Sequence, residues 1–336
     1  MSSTLTPVSQ DPVSAERSVR TRKPSFAAWI GYAGIAAVLL LFIFGSPYFL
    51  TASNILTILT QASVFGIAGV GLAIVIIAGG DDVLNGGIDL STGAVAGLSG
   101  TVTALAAASG TPGFLAVLYG VLVATAIGII NGISVTLGLR PLLATLATMG
   151  VAASLELVFS QNLKIAVTGG FFEAARSSVF LGLPLAAWLM VLVGAVGWWV
   201  YSKTSWGVNS YAVGQNPTAA RVAGLDPRKY RLVSYVLSSA LAGIAGTLLV
   251  ARLSAAVPGI GTQILLDIIL VAYMSMIFSR RRLVSVVGTI LAAIFVAALD
   301  NGLTLLGVAS QWVGAAKGLL ILLVLASVTL RGRNNR

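Results

Sequence analysis

Residues 79–93 read GGDDVLNGGIDLSTG, a glycine-rich stretch with three aspartates, Asp81, Asp82 and Asp89, set between two long apolar runs. Its surroundings decide how it is read. The 336-residue chain is 57% hydrophobic and 9% charged, with a mean hydropathy of +0.98. A soluble domain carries roughly 25% charged residues, so this chain cannot clothe a water-facing surface and reads as an integral membrane protein. Long apolar runs and few prolines favour a helical bundle over a barrel. Inside such a bundle Gly79, Gly80, Gly86 and Gly87 break a helix, each costing about 1 kcal/mol relative to Ala. Asp89 and Ser91, just before an Ala/Gly-rich run, are suited to capping the free N–H groups of a helix start. Two readings follow. The stretch is a span interrupted at membrane depth beside a water-filled cavity, or it is a cytoplasmic loop in which Asp81 and Asp82 are solvated.

About twenty apolar residues cross a bilayer. On that measure spans are expected near 27–46, 54–78, 88–108, 114–138, 141–160, 184–202, 231–251, 262–279, 286–306 and 311–330. The expected fold is an all-α polytopic membrane protein of about ten transmembrane helices, with an interrupted helix near 79–93. Residues 1–26 read as a disordered cytoplasmic tail, 27–330 as the transmembrane domain with a long cytoplasmic loop at 203–230, and 331–336 as a cytoplasmic C-terminal tail. With the N-terminus inside, all but Lys164, Arg176, Arg252 and Lys317 of the twenty basic residues fall in or beside cytoplasmic segments, as the positive-inside rule requires. The net charge of +10 therefore reports topology rather than nucleic-acid binding. IINGISVTLG (129–138) and LDNGLTLLG (299–307) form a faint repeat on spans running in opposite directions, as two five-helix halves of inverted topology would place them. Chance recurrence of Asn-Gly in glycine-rich helices is the other reading.

With no cysteine and no histidine, disulfides, haem and histidine-bearing metal sites are excluded, and neither a metal nor another cofactor is expected. No G-x-x-x-x-G-K-[ST] phosphate loop, G-x-S-x-G elbow or H-E-x-x-H is present, so the chain is not read as an enzyme. If transport is driven by ATP, the ATPase is another chain. Three acids fall inside spans, Glu156, Asp267 and Asp300, and read as scattered, with no Lys or Arg paired to them at depth. Asn131, Asp300 and Asn301 are candidate intramembrane polar groups.

The loop YAVGQNPTAARVAGLDPRKYR (211–231) is more than polar. Asn216 is placed to cap a helix with Pro217 in its first turn, and Gly224 to close it. Ala219 and Ala220 then form a small-residue face beside Arg221, suited to a groove on a soluble partner. A basic loop that merely fixes topology is the plainer reading.

GGIDLSTGAVAGLSG (86–100), AVGQNPTAARVAGLDPRKYR (212–231) and DNGLTLLGVASQW (300–312), supported by TASNILTILTQAS (51–63), resemble the permease subunits of bacterial ATP-binding cassette importers for monosaccharides of the ribose/xylose/galactose type. The resemblance covers roughly 27–330. It implies that Gly214, Asn216, Ala219, Ala220, Arg221 and Gly224 contact an ATPase subunit. It also implies that Gly86, Gly87, Asp89 and Ser91 lie at an irregular point of the membrane core beside the translocation pathway. The partners implied are that ATPase, an extracytoplasmic solute-binding protein, a second permease subunit (identical or related), the sugar and membrane lipid, with the chain in the bacterial inner membrane and both termini cytoplasmic. Two departures leave the subfamily and the sugar open: about seven extra residues around Asp81 and Asp82, and SMIFSRRRLVSVVGT (275–289), with Arg280–Arg282, where relatives carry a glycine-rich turn. A secondary transporter coupled to protons or sodium through Asp300 or Glu156 is the alternative.

Overall fold

A helix that is apolar all round has no side to turn to water and ends up enclosed. The run after Thr51 does so. In the computed structural model, which describes residues 26–80, 86–279, 281–309, 312–320 and 322, it forms α2 (Ala52–Gly79), buried at every residue from Ala62 to Ala78. Before it lies α1 (Phe26–Gly45). After it come α3 (Thr92–Ala108), α4 (Gly113–Thr136), α5 (Pro141–Ser160), α6 (Gly170–Ser177), α7 (Leu185–Lys203), α8 (Ser205–Gln215), α9 (Pro217–Val222), α10 (Pro227–Leu253), α11 (Ile260–Phe278) and α12 (Val286–Leu305). Residues 312–320 are also helical. Asp81, Asp82 and Arg280 lie outside the described residues, as do residues 1–25 and 331–336.

Among the described residues seven helices are long and apolar enough to cross a membrane: α2, α4, α5, α7, α10, α11 and α12. The chain is an all-α polytopic membrane protein. α2 packs against α10 and α12, and α10 also against α4 and α3. α3 lies on α4, α5 and α11, α11 pairs with α12, and α7 covers α2. Small residues let the central axes approach, as membrane packing favours. A side chain on Gly71 of α2 would meet the backbone at Ser238 of α10, and one on Gly246 of α10 the backbone at Ala96 of α3. Around this centre α4, α5 and α7 expose large apolar residues such as Leu122, Val158 and Trp199, the surface that hydrocarbon covers.

The structure differs from the sequence reading at three places. The helix expected from residue 88 begins at Thr92, because residues 86–91 are irregular. The discontinuity thus lies between two helices rather than inside one. The 203–230 loop holds α8 ahead of the short helix expected there, α9. The 161–183 connection holds α6 and three two-residue strands, of which β1 (Ile165–Ala166) pairs antiparallel with β4 (Ala255–Ala256) in the α10–α11 turn, and β2 (Val179–Phe180) with β3 (Leu183–Pro184).

Candidate functional site

The irregular leg 86–91 runs back along the end of α2. A side chain on Gly87 would collide with the Val75 carbonyl, and one on Gly79 with Gly87 itself, so backbone lies on backbone. That contact needs glycine. The leg then meets α10: the Tyr235 hydroxyl donates to the Ile88 carbonyl at 3.0 Å. Asp89 is wholly buried. Its Oδ1 accepts from the Ser91 N–H at 3.0 Å and the Ser91 hydroxyl at 2.6 Å, and its Oδ2 from the Ser238 hydroxyl at 3.3 Å. The Asn131 amide donates to Ser91 Oγ at 2.9 Å, and the Thr148 hydroxyl to Asn131 Oδ1 at 2.7 Å. Donation therefore runs from α5 through α4 and the leg onto one carboxylate, with α10 closing from the other side. Ser238 is eleven residues into α10, about 16 Å along its axis, so this knot lies well inside the bundle. Asp89 closes a turn onto Ser91, and the helix-capping bond expected of these two residues is absent, since Ser91 itself makes no side-chain bond to the first turn of α3.

The second assembly begins at the other side of α2. A side chain on Gly214, near the end of α8, would strike the Ile77 carbonyl. Tyr211 of α8 donates to the Val284 carbonyl at 2.9 Å, and burial pushes its phenol up to about 12, keeping the donor protonated. A cavity of about 30 Å³ lies here between Ile76, Gly80, Tyr211 and Leu283. From this support the chain turns into α9. The Asn216 side chain accepts from the Ala219 N–H at 2.9 Å. At the other end Gly224 takes φ +83°, its N–H donates to the Arg221 carbonyl, and Leu225 N–H reaches the Ala220 carbonyl. Those two bonds form a Schellman close. The outward face differs from the one expected. Ala220 is 5% exposed and turned into the protein, because α9 lies flat on its own chain. Ala219, Arg221 and Val222 face out, Val222 at 88% exposure.

A third assembly gathers five charged or amide side chains, one from each of five helical segments. Arg252 of α10 donates to Gln61 of α2 at 3.1 Å, and Gln61 to Asp300 of α12 at 3.1 Å. Lys317 contacts Asp300 at 2.9 Å and Asp267 of α11 at 2.6 Å. Beside them Asn54 and Asn301 exchange amide hydrogen bonds, both 2.8 Å. The acids are thus not scattered, as the sequence suggested: Asp267 and Asp300 share one lysine. Glu156 stays apart, buried, accepting from the Gly259 N–H at 3.1 Å.

Of the residues singled out in the sequence, Asp89, Ser91 and Asn131 come together, as do Asp300 and Asn301, in two separate places. Lys317, Gln61, Ser238, Thr148 and Val222 were missed. For Lys317 a signal existed: a lysine a few residues inside the last apolar run is costly in lipid unless paired.

A profile of the family described as branched-chain amino acid transport system / permease component matches residues 54–325. The chain is 35% identical over 285 residues to the ribose import permease protein of Bacillus subtilis, covering 83% of this chain and 85% of that one. It is 34% identical to the D-allose transport system permease protein of Escherichia coli, over 84% of this chain and 86% of that one. A probable ABC transporter permease protein of Sinorhizobium fredii is 31% identical, over 91% of each chain.

Proposed function

The chain belongs to the family of branched-chain amino acid transport system permease components, and on that premise we propose that it is the membrane subunit of an ATP-binding cassette importer carrying a monosaccharide. The near-full-length likeness to ribose and allose permeases carries this reading, because relatives at that distance share the spans and the loops between them. It favours a sugar over an amino acid despite the family's broader description. A carrier driven by protons or sodium is not favoured, since it leaves α9 without a purpose.

In the reading we propose, ATP is hydrolysed on a separate subunit and a solute-binding protein delivers sugar from outside. Two permease chains form the pathway, each with about ten spans in two inverted halves, the domain 27–330, and both tails in the cytoplasm. Closure of the ATPase pair pushes on the loop 203–230 through Asn216, Ala219, Arg221 and Gly224, while Gly214 and Ala220 seat that face on the permease's own chain. α9 is stiffened at both ends and packs on α8, whose Gly214 lies against the end of α2, which supports its role as the part that is pushed. The leg Gly86, Gly87, Asp89, Ser91 lies against the same helix end and borders the pathway.

The burial of Ala220 shapes the test, because a bulky residue there would clash within the permease itself. Val222→Asp and Arg221→Glu alter only the outward face and should change stability by less than about 0.5 kcal/mol. Uptake in reconstituted vesicles is expected to fall to background and the ATPase to be lost on co-purification. Full ATP-driven uptake by the Val222→Asp, Arg221→Glu double variant would overturn the proposal.

A further inference from the structure

Asp267, Asp300 and Lys317 sit among apolar helices, where a charge is expensive and is kept when it has work to do. Each belongs to a different segment, and Gln61 and Arg252 extend the chain of contacts to α2 and α10. By the sidedness proposed above the set lies toward the outer face: Arg252 is next to the last residue of α10, and Asp300 is five residues before the end of α12. It is joined by long side chains, where the leg at 86–91 is closed by backbone contact. It is also not fully sealed, the Lys317 and Asp300 side chains each being 12% exposed. A solute site is the weaker reading, because every one of these groups is taken by another member of the set.

We propose that Lys317, held between Asp267 and Asp300, is a latch that keeps the outer ends of α11, α12 and the helix at 312–320 together until solute is delivered. The proposal rests on the importer reading and its sidedness. Closed, one cation offsets two carboxylates that would otherwise repel. Opened, water and the hydroxyls of an arriving sugar take over the carboxylate oxygens, which accept from O–H as readily as from an ammonium. The latch is thus undone by the chemistry of the cargo class, without a change of protonation.

The chain has no cysteine, so single reporters can be placed in it. Ile264 is buried one turn outward of Asp267 on α11, and Ala73 is buried six residues before the end of α2. In the permease–ATPase complex in vesicles without binding protein, Ile264→Cys should react slowly with an impermeant thiol reagent added outside. Adding Lys317→Gln should speed it at least about tenfold, the threshold corresponding to a factor of ten in the open population, and leave Ala73→Cys unreactive. ATP hydrolysis without binding protein should rise in parallel. The exchange Asp267→Lys with Lys317→Asp keeps one lysine among two carboxylates and should restore slow labelling. Unchanged labelling in Lys317→Gln would overturn the latch. So would faster labelling of both reporters that the charge exchange fails to reverse, since that is loss of packing. Failure of the parent complex to take up sugar with ATP would instead count against the importer reading, and leave the labelling comparison standing.

Discussion

The knot at Asp89 and the cluster at Lys317 solve the same problem by different means. Each holds helices from distant parts of the chain together around buried polar groups. At the knot the fit is made by shape: Gly87 lies on the Val75 carbonyl, and the one carboxylate is satisfied by short neutral donors, Ser91 and Ser238. At the cluster the fit is made by charge, with Lys, Arg and Gln reaching from one helix to the next. Shape tolerates no exchange of partners, whereas long charged side chains can let go and rejoin. The knot should therefore behave as a fixed joint and the cluster as a releasable joint.

The largest effect tests the fixed joint. Gly87→Val puts branched carbon into the Val75 carbonyl and should cost about 3 kcal/mol, the upper end for overpacking, read as a lower thermal midpoint in detergent. A midpoint equal to the parent's would erase the contrast. Next, Asp89→Leu strands the Ser91 N–H and two hydroxyls and should cost about 2–3 kcal/mol, while Asp89→Asn retains an acceptor and should cost about 1. Equal midpoints for the two would mean that the network does not hold the leg. Removing the charges of the cluster together (Lys317→Met with Asp267→Asn and Asp300→Asn) should cost about 1 kcal/mol or less, because buried ion pairs gain little over neutral packing. A loss as large as that of Asp89→Leu would show the two joints to be alike. The smallest effect is at the amide pair. Asn54→Ala and Asn301→Ala should each cost about 0.6 kcal/mol, as interhelical hydrogen bonds in membranes do. Because each amide serves the other and Asn54 also donates to the Phe49 carbonyl at 2.9 Å, the double variant should cost no more than Asn54→Ala alone, and simple additivity would place their bonds elsewhere.

Local chemistry was legible in the sequence and distant register was not. Asn216, Pro217 and Gly224 declare α9 because a cap, a first-turn proline and a left-handed close act within a few residues. The face α9 presents was not legible, since Ala220 is turned inward by the packing of α9 on α8 and α10. Apolar runs located the long helices to within a few residues. The start of α3 was misplaced because Ile88 and Leu90 extend the apolar pattern, while Gly87 and Asp89 are held extended by α2 and α10. Asn131 was suspected from its repeat and found its partner forty positions away, at Ser91. No periodicity could join Asp267 to Lys317, because the rotation of one span against another is set by packing alone.

The enclosure of α2 also bears on how the chain is made. Its main neighbours, α10 and α12, begin 148 and 207 residues after its last residue (227 − 79 and 286 − 79). At a synthesis rate of about 5–20 residues per second, that is on the order of 10 s during which α2 stands in the bilayer without them. A helix destined for the interior could carry polar groups on the sides its partners will cover. This one carries a single polar side chain, Ser63, between Ala62 and Ala78, and that hydroxyl bonds back to the Leu59 carbonyl. Its remaining polar residues, Ser53, Asn54, Thr57, Thr60 and Gln61, are confined to the end nearest one membrane surface, where water can serve them until Asp300, Asn301 and Arg252 arrive. The composition of α2 thus answers to lipid first and to protein afterwards, and the order of synthesis is written into a stretch, Ala62 to Ala78, that lipid no longer touches.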